Sequence, residues 1–261
     1  MLLAIDIGNS NIVLGLHGGS GWINHWRIHT DHDKMPDEYA VLLRDILREE
    51  NIPRERISTT VISSVVPQLT DRIREVTQSL NGREPLIVGP GVKTGIKIRT
   101  DNPSEVGTDL VCNAVAAYER VQGNCIIVDF GTALTFTAVA APGELLGVAI
   151  APGLQAAAEA LSASTAQLPQ VWLQSPEQAI GRNTTQSIRS GVVFGYAGLV
   201  EGLIKRMRAE LGGEATVIAT GGRATVIAPH TESFTIVEPW LILEGLRLIA
   251  ERNGRPRQRA V

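Results

Sequence analysis

One short pattern occurs twice in this chain. Leu2-Leu3-Ala4-Ile5-Asp6-Ile7-Gly8-Asn9-Ser10-Asn11 is an apolar run, an Asp, one residue, a Gly and an amide or hydroxyl residue, and Ile126-Ile127-Val128-Asp129-Phe130-Gly131-Thr132 repeats that order. Each copy delivers a single carboxylate to the end of a strand and follows it with a tight turn. After the first turn the apolar residues Ile12, Val13, Leu14 and Leu16 resume, so the turn joins two strands and its Gly8, Asn9 and Ser10 amides can point inward to cradle a phosphate. Taken alone, the same residues suit a plain hairpin in which Asp6 and Asn9 satisfy local hydrogen bonds. The second copy breaks the tie, because two hairpin units with an acid at the first turn imply an internally duplicated fold.

The rest of the chain fits around these copies. Trp22, Ile23, Trp26 and Ile28 read as a third strand, and Asp37 to Glu50 as a helix with Tyr39, Leu42, Leu43 and Ile46 at helical spacing, capped by Asp37 or a neighbour. Residues 57–63 form a short buried strand, 67–80 a helix opened by Pro67, and 85–88 another strand. This alternation is an α/β layout, with helices packed on a mixed sheet. Pro103 and Ser104 are expected to open a helix that carries Gly107-Thr108-Asp109 in its first turns and buries Val111, Ala114, Val115 and Tyr118. In the second half, strands at 124–130, 132–140 and 145–151 precede Pro152-Gly153 and an alanine-rich helix. A long helix then follows Gly181-Arg182-Asn183-Thr184-Thr185, strand 216–220 ends at Thr220-Gly221-Gly222, and Pro239 is expected to start the final helix.

Composition narrows the functional classes. At 261 residues and 44% hydrophobic, the chain can form one large or two modest domains with a real core. No apolar run reaches membrane-spanning length and the start lacks the features of a signal peptide, which predicts a cytoplasmic protein without a membrane partner. A net charge of −3 argues against a nucleic-acid surface, and Arg252, Arg255, Arg257 and Arg259 read as a solvated end. Cys112 and Cys125 lack metal-type spacing and read as free buried thiols.

Other residues leave two readings open. His25, His29 and His32, with Asp31 and Asp33, have the alternation of a strand face that could bind metal or merely be solvated. The loop Gly89-Pro90-Gly91-Val92-Lys93-Thr94-Gly95 fails the Walker A spacing and reads as a Gly-rich connection that can border a ligand. Asp109 either complements the dipole of its helix or, if the phosphate turns face it, does chemistry. Thr184 is either the N-cap of the long helix or a hydroxyl facing substrate. Gly191, Gly195, Gly198 and Gly202 line one face of that helix, each costing about 1 kcal/mol against alanine, so close backbone approach by a domain or a subunit is expected there.

Two strand-Asp-Gly turns followed by Thr-Gly-Gly late in the chain resemble the phosphate and adenosine motifs of the actin, hexokinase and Hsp70 ATPase superfamily. Within it, Asp6-Ile7-Gly8-Asn9-Ser10, Gly107-Thr108-Asp109, Asp129-Phe130-Gly131-Thr132-Ala133, Pro152-Gly153, Gly181-Arg182-Asn183-Thr184 and Gly221-Gly222 resemble the type III pantothenate kinases, in the family's order and nearly end to end. The resemblance implies an α/β fold of two similar domains of the actin-like ATPase (ribonuclease H-like) type, with mixed sheets flanked by helices. It divides the chain at 1–122 and 123–261, with the last helix able to pack back on the first domain. It implies ATP-dependent phosphorylation of pantothenate, the first step of coenzyme A synthesis, by a cytoplasmic homodimer that uses Mg2+ and a monovalent cation, K+ or ammonium. ATP and its phosphates would lie against Asp6, Ile7, Gly8, Asn9, Ser10, Asn11, Ile12, Val13, Gly131, Thr132, Gly221 and Gly222. Asp6 would bind Mg2+ directly or through water, Asp129 would hold the monovalent cation, and Asp109 would take the proton of the attacking hydroxyl. Substrate would meet Gly107, Thr108, Asp109, Leu110, Thr184 and Thr100.

The chain departs from the family pattern at Thr100, where a Tyr is usual, at Leu110, where an Arg is usual, and at Val148, where a second Gly is usual. The first two departures touch substrate recognition rather than phosphate chemistry. They keep two alternatives in view: a superfamily kinase for another small hydroxyl compound, and an impaired accessory or regulatory relative.

Overall fold

The computed structural model describes residues 1–165 and 167–254, so Arg255, Arg257 and Arg259 lie outside the described residues. The chain divides into two compact units. Of the described residues, unit 1 takes 1–95, 102–116 and 242–254, and unit 2 takes 96–101 and 117–241. In chain order the elements are β1 (Leu2–Ile7), β2 (Asn11–His17), β3 (Trp22–His29), α1 (Pro36–Glu49), β4 (Thr59–Ser64), α2 (Pro67–Asn81), β5 (Leu86–Ile87), β6 (Lys97–Ile98) and α3 (Thr108–Val121). They continue with β7 (Cys125–Phe130), β8 (Ala133–Ala140), β9 (Glu144–Pro152), α4 (Leu154–Ala163), α5 (Thr184–Glu210), β10 (Thr216–Thr220), α6 (Ala224–Ile227), β11 (Ile236–Val237) and α7 (Leu241–Asn253).

The sheet of unit 1 has the order β3-β2-β1-β4-β5, with β1 antiparallel to β2 and parallel to β4. Alternation along each strand decides its two faces. Leu3, Ile5, Ile7, Ile12, Leu14, Leu16 and Ile62 join Leu43 and Leu47 of α1 and Leu69, Ile73 and Val76 of α2 in one buried cluster. Each such side chain taken fully from water contributes roughly 1.5–3 kcal/mol, which is what holds α1 and α2 to this face. Ala4, Asp6, Val13, Gly15 and Ser63 turn the other way. There a Cβ on Gly15 would stand 2.7 Å from Leu243 of α7, and one on Gly245 would strike the Cys112 carbonyl of α3. The polar strand end, with Asp6 and Ser63, therefore shares its face with the start of α3.

The sheet of unit 2 has the order β11-β10-β7-β8-β9-β6. Its strands β7, β8, β9, β10 and β11 repeat the order and pairing senses of β1, β2, β3, β4 and β5, so the duplicated sequence pattern has a duplicated topology. One face, with Ile126, Val128, Phe130, Leu134, Phe136, Val217 and Ala219, packs on α4, α5 and α6 through Leu154, Ile188, Val193, Val200 and Ala224. The edge strand β6, parallel to β9, has no counterpart among the described residues of unit 1.

Several local expectations are corrected. The first helix is capped by Met35, whose amide donates to the Glu38 carboxylate at 2.8 Å, and Asp37 lies inside the first turn. Pro103–Glu105 is a separate 3-10 turn, and α3 begins afresh at Thr108 after the Gly107 break. The last helix begins at Leu241 rather than Pro239, because the Glu238 amide still donates to the Ala219 carbonyl of β10. A Cβ on Gly191, Gly195 or Gly198 would meet nothing within 4 Å among the described residues of this chain, which leaves the subunit alternative for the approach expected along α5. The strand at 57–63 begins only at Thr59, after a 3-10 turn over Arg54–Arg56.

Candidate active site

In unit 1 the first Asp-Gly turn is a closed hairpin end. The Gly8 amide donates to the Asn11 carbonyl at 3.0 Å, and Thr30 ties the turn down twice, its amide to the Ser10 carbonyl and its hydroxyl to the Gly8 carbonyl at 2.7 Å. Gly8 thus spends its amide inside the turn, while Asn9 at the tip is exposed. Asp6, only 8% exposed, stands beside Ser63 in the parallel β1–β4 register.

The start of α3 comes down on this strand end. The Thr108 hydroxyl lies 3.0 Å from the Ser63 hydroxyl, donates to the Ser64 carbonyl at 3.1 Å and accepts from the Ser64 amide at 3.2 Å. One turn later, the buried Cys112 thiol shares a hydrogen bond with Ser63. Burial raises its pKa well above the ordinary value, and the charges of Asp6 and Asp109 push it further up, so both carboxylates act on the same buried sulfur. Asp109 itself is held above its ordinary range by burial, against the pull of its own amide and that of Leu110, which donate to the carboxylate. A carboxyl with raised proton affinity, fixed at a helix start, is suited to accept a proton. The structure therefore brings Asp6, Thr108 and Asp109 into one neighbourhood, together with Ser63 and Cys112, which sequence reading treated as plain core. The signal was available in Thr59-Thr60-Val61-Ile62-Ser63-Ser64, a buried strand ending in two hydroxyls.

Unit 2 builds a different surround for its acid. Asp129 pairs across the sheet with Thr220 on one side and Thr135 on the other. Gly221, at φ 87°, takes the left-handed turn that leads from β10 into α6, and a Cβ there would come 2.4 Å from Asp129 Oδ1 and 2.8 Å from the Phe130 backbone. Only glycine satisfies both conditions. The following turn, Gly131-Thr132, is packed by the Gly153 backbone so closely that a Cβ would lie 2.1 Å from the Thr132 carbonyl oxygen. Asp129, Gly131, Thr132 and Gly221 are thus gathered at one end of this sheet, and the exposed Gly222 follows directly.

Of the remaining candidates, Leu110 follows Asp109 on α3, and Thr184 and Thr100 belong to unit 2. Thr184 is the first residue of α5, not its cap: the Asn183 side chain accepts from the Gln186 amide at 2.9 Å and leaves the Thr184 hydroxyl to other uses. Thr184 borders an apolar groove of about 550 Å³ lined by Leu161, Leu168, Ile188, Gly195 and Leu199. Thr100 Oγ1 is buried with no hydrogen-bond partner, and Leu110 is 9% exposed. Among the described residues no group of three or more His, Cys, Asp and Glu side chains could hold a metal ion, so the histidines of β3 and its following loop form no such site. Cys125, with its thiol pushed up to about 12 by burial, is free and buried like Cys112.

Comparison with known proteins supplies an independent finding. The profile of the type III pantothenate kinases matches residues 2–206. A type III pantothenate kinase from Moorella thermoacetica is 49% identical over 253 residues, covering 97% of this chain and 100% of that protein. One from Geobacter sulfurreducens is 47% identical, with 97% and 99% covered. Among solved structures, component A of the (R)-2-hydroxyglutaryl-CoA dehydratase of Acidaminococcus fermentans aligns with a TM-score of 0.56 at 13% identity, covering 96% of this chain and 98% of that one. The ethanolamine utilization protein EutJ of Carboxydothermus hydrogenoformans aligns at 0.54 and 15% identity, with 95% and 89% covered. At such identities these two likenesses speak to fold alone.

Proposed function

The chain belongs to the type III pantothenate kinase family, and from that premise we infer that it transfers the γ-phosphoryl group of ATP to the primary hydroxyl of pantothenate, the first step of coenzyme A synthesis. The observation that carries this reading is the cluster at the start of α3, where Asp109, with raised proton affinity, follows Thr108, whose hydroxyl meets Ser63, the cross-strand neighbour of Asp6, and where both acids act on the Cys112 thiol. Asp109 accepts the proton of the attacking hydroxyl, while the Thr108 bonds to the end of β4 keep the helix start from shifting. Phosphoryl transfer asks mostly for positioning and neutralised charge, not for a covalent partner. The Asp6–Val13 turn and Gly131-Thr132 hold the phosphates, with Asn9, Ser10 and Asn11 serving where the Gly8 amide is already engaged. Gly221 and Gly222 let adenosine lie against backbone.

Two oxygen donor sets suit the cations this reading needs. Asp6, buried beside Ser63, suits Mg2+, directly or through water, and Asp129, set between Thr220 and Thr135, suits K+ or ammonium. When bound, both ions supply positive charge against the phosphate oxygens.

For substrate, the reading assigns Gly107, Thr108, Leu110, Thr184 and Thr100. Among the described residues the buried hydroxyl of Thr100 has no partner, which supports a polar contact to substrate at this position. Thr100→Val should raise the pantothenate KM about threefold to tenfold, the value of one hydrogen bond, with turnover kept. An unchanged KM would remove Thr100 from the pocket.

The apolar groove along α4 and α5, with glycines open at Gly191, Gly195 and Gly198, supports a homodimer formed on that face. Sedimentation at the 28.0 kDa mass of one chain at micromolar concentration would overturn it. We place the enzyme in the cytoplasm, where ATP and pantothenate meet; among the described residues no helix is long and apolar enough to cross a membrane. The deciding experiment is phosphate transfer from γ-labelled ATP to a panel of small primary alcohols. Pantothenate should be the preferred acceptor, and preference for another alcohol would replace the substrate while keeping the chemistry.

A further inference from the structure

The cross-strand row through Asp129 reads Thr220, Asp129, Thr135 and Ile150, across β10, β7, β8 and β9. Directly paired residues present their side chains to the same face of a sheet, so Thr135 stands next to the Asp129 carboxylate there. The opposite face holds the core residues Val128, Phe130, Leu134 and Phe136. Among the described residues, buried Thr135 Oγ1 has no hydrogen-bond partner. A buried hydroxyl left without a partner costs roughly 1–3 kcal/mol, and a strand position wanting only shape would take valine, as the matching position of β2 does with Val13. Something else must use this oxygen.

We propose that Thr135 is a ligand of the monovalent cation at Asp129, its Oγ1 supplying a neutral oxygen beside the carboxylate; this rests on the reading of Asp129 given above and extends it to a residue that reading does not use. The charge balance favours an ion of single charge. No group of three metal-binding side chains exists among the described residues, and the carboxylate's cross-strand neighbours, Thr220 and Thr135, carry hydroxyls. A site built from this carboxylate and the neutral hydroxyls of Thr135 and Thr220 matches K+ or ammonium better than a divalent ion, which demands more compensating charge. Around Asp6 the balance differs, since Asp109 adds a second acid close enough to act on the same thiol.

The test is the cation dependence of thermal unfolding of the full-length protein. KCl is titrated at constant ionic strength held with tetramethylammonium chloride, for wild type, Asp129→Asn, Thr135→Val and Thr135→Ser, and the ATP dissociation constant is measured at each end of the titration. The expected result is that K+ raises the Tm of wild type and not of Asp129→Asn. Thr135→Val should need roughly tenfold more K+ for the same rise, as for other losses beside an ion, with Thr135→Ser close to wild type. Thr135→Val keeps the β-branched shape, and its Tm without K+ reports whether it folds; were it unfolded, a serine variant shifted as far as complete hydroxyl loss predicts would overturn the proposal. If Asp129→Asn loses the response and Thr135→Val titrates like wild type, the proposal fails while Asp129 stands. If wild type and Asp129→Asn respond alike, the placing of the cation fails and Thr135 with it. If Thr135→Val weakens ATP equally with and without K+, the hydroxyl serves a phosphate, and the cation role is overturned.

Discussion

The two halves of this chain have one topology and two chemistries. In each, an acid sits next to last on the first strand of the repeat, Asp6 on β1 and Asp129 on β7, beside a hydroxyl on the parallel neighbour, Ser63 on β4 and Thr220 on β10. On the antiparallel side the first half has Val13 and the second Thr135. The helix that follows the fifth strand differs more sharply. The second residue of α3 is Asp109, whereas the second residue of α7 is Ile242. A duplicated sheet thus carries two strand-Asp-Gly turns while an acid at the start of the following helix occurs once, and under the proposed function that single acid is the proton acceptor for the single phosphoryl transfer. The repeat sets where the acids stand, and the helix after it decides what they do.

The sharpest way to break this comparison is to remove the unique acid. Asp109→Asn keeps the size and the helix start, yet turnover should fall about a hundredfold or more, the range of general-base loss, with a smaller change in KM. Steady-state kinetics decide it. A loss confined to KM would reduce Asp109 to a binding group, and the two halves would then differ only in their turns.

A smaller effect separates the two turns. Gly221 is left-handed and would aim a Cβ at both Asp129 and the Phe130 backbone, whereas Gly8 has ordinary φ and a single close neighbour, the Asn11 carbonyl at 3.0 Å. Gly221→Ala should therefore cost about 2–3 kcal/mol of stability, and Gly8→Ala no more than about 1 kcal/mol. Urea unfolding of both variants measures the difference. Equal losses would mean that the second turn yields as readily as the first, and that the space beside Asp129 is not reserved for close backbone.

Much of this architecture was legible because strand-turn-strand patterns are local. Apolar alternation, the acid and the glycine of each copy lie within about ten residues, and such patterns carry their own geometry. Two of the short edge strands were not legible: Lys97–Ile98 and Ile236–Val237 pair only because a neighbour offers an edge. Helix starts were misjudged where a proline preceded the true first turn, at Pro103 and Pro239, since proline permits a start without requiring one. At the site, the acids and glycines could be picked out by type. Ser63, Cys112 and Thr135 could not, because their significance lies in cross-strand register and in helix packing, which bring residues from distant parts of the chain together.

The smallest effect tests the same asymmetry through stability. Burial holds the Asp109 carboxyl above its ordinary value of 3.8, so the folded chain keeps this proton at pH values where the unfolded chain has lost it. That contribution is complete below 3.8, declines as pH rises through the raised folded value, and is absent above it. At neutral pH the wild type therefore bears the cost of a buried carboxylate that Asp109→Asn does not bear. The variant should gain stability relative to wild type across that window and hold the gain at higher pH, so that lost turnover accompanies gained stability. Paired urea titrations over a pH series, read as the difference between the two proteins, measure the slope. A difference that shrinks with rising pH would mean that the amides of Asp109 and Leu110 outweigh burial and favour the carboxylate, leaving the acid of α3 as a helix cap like many others.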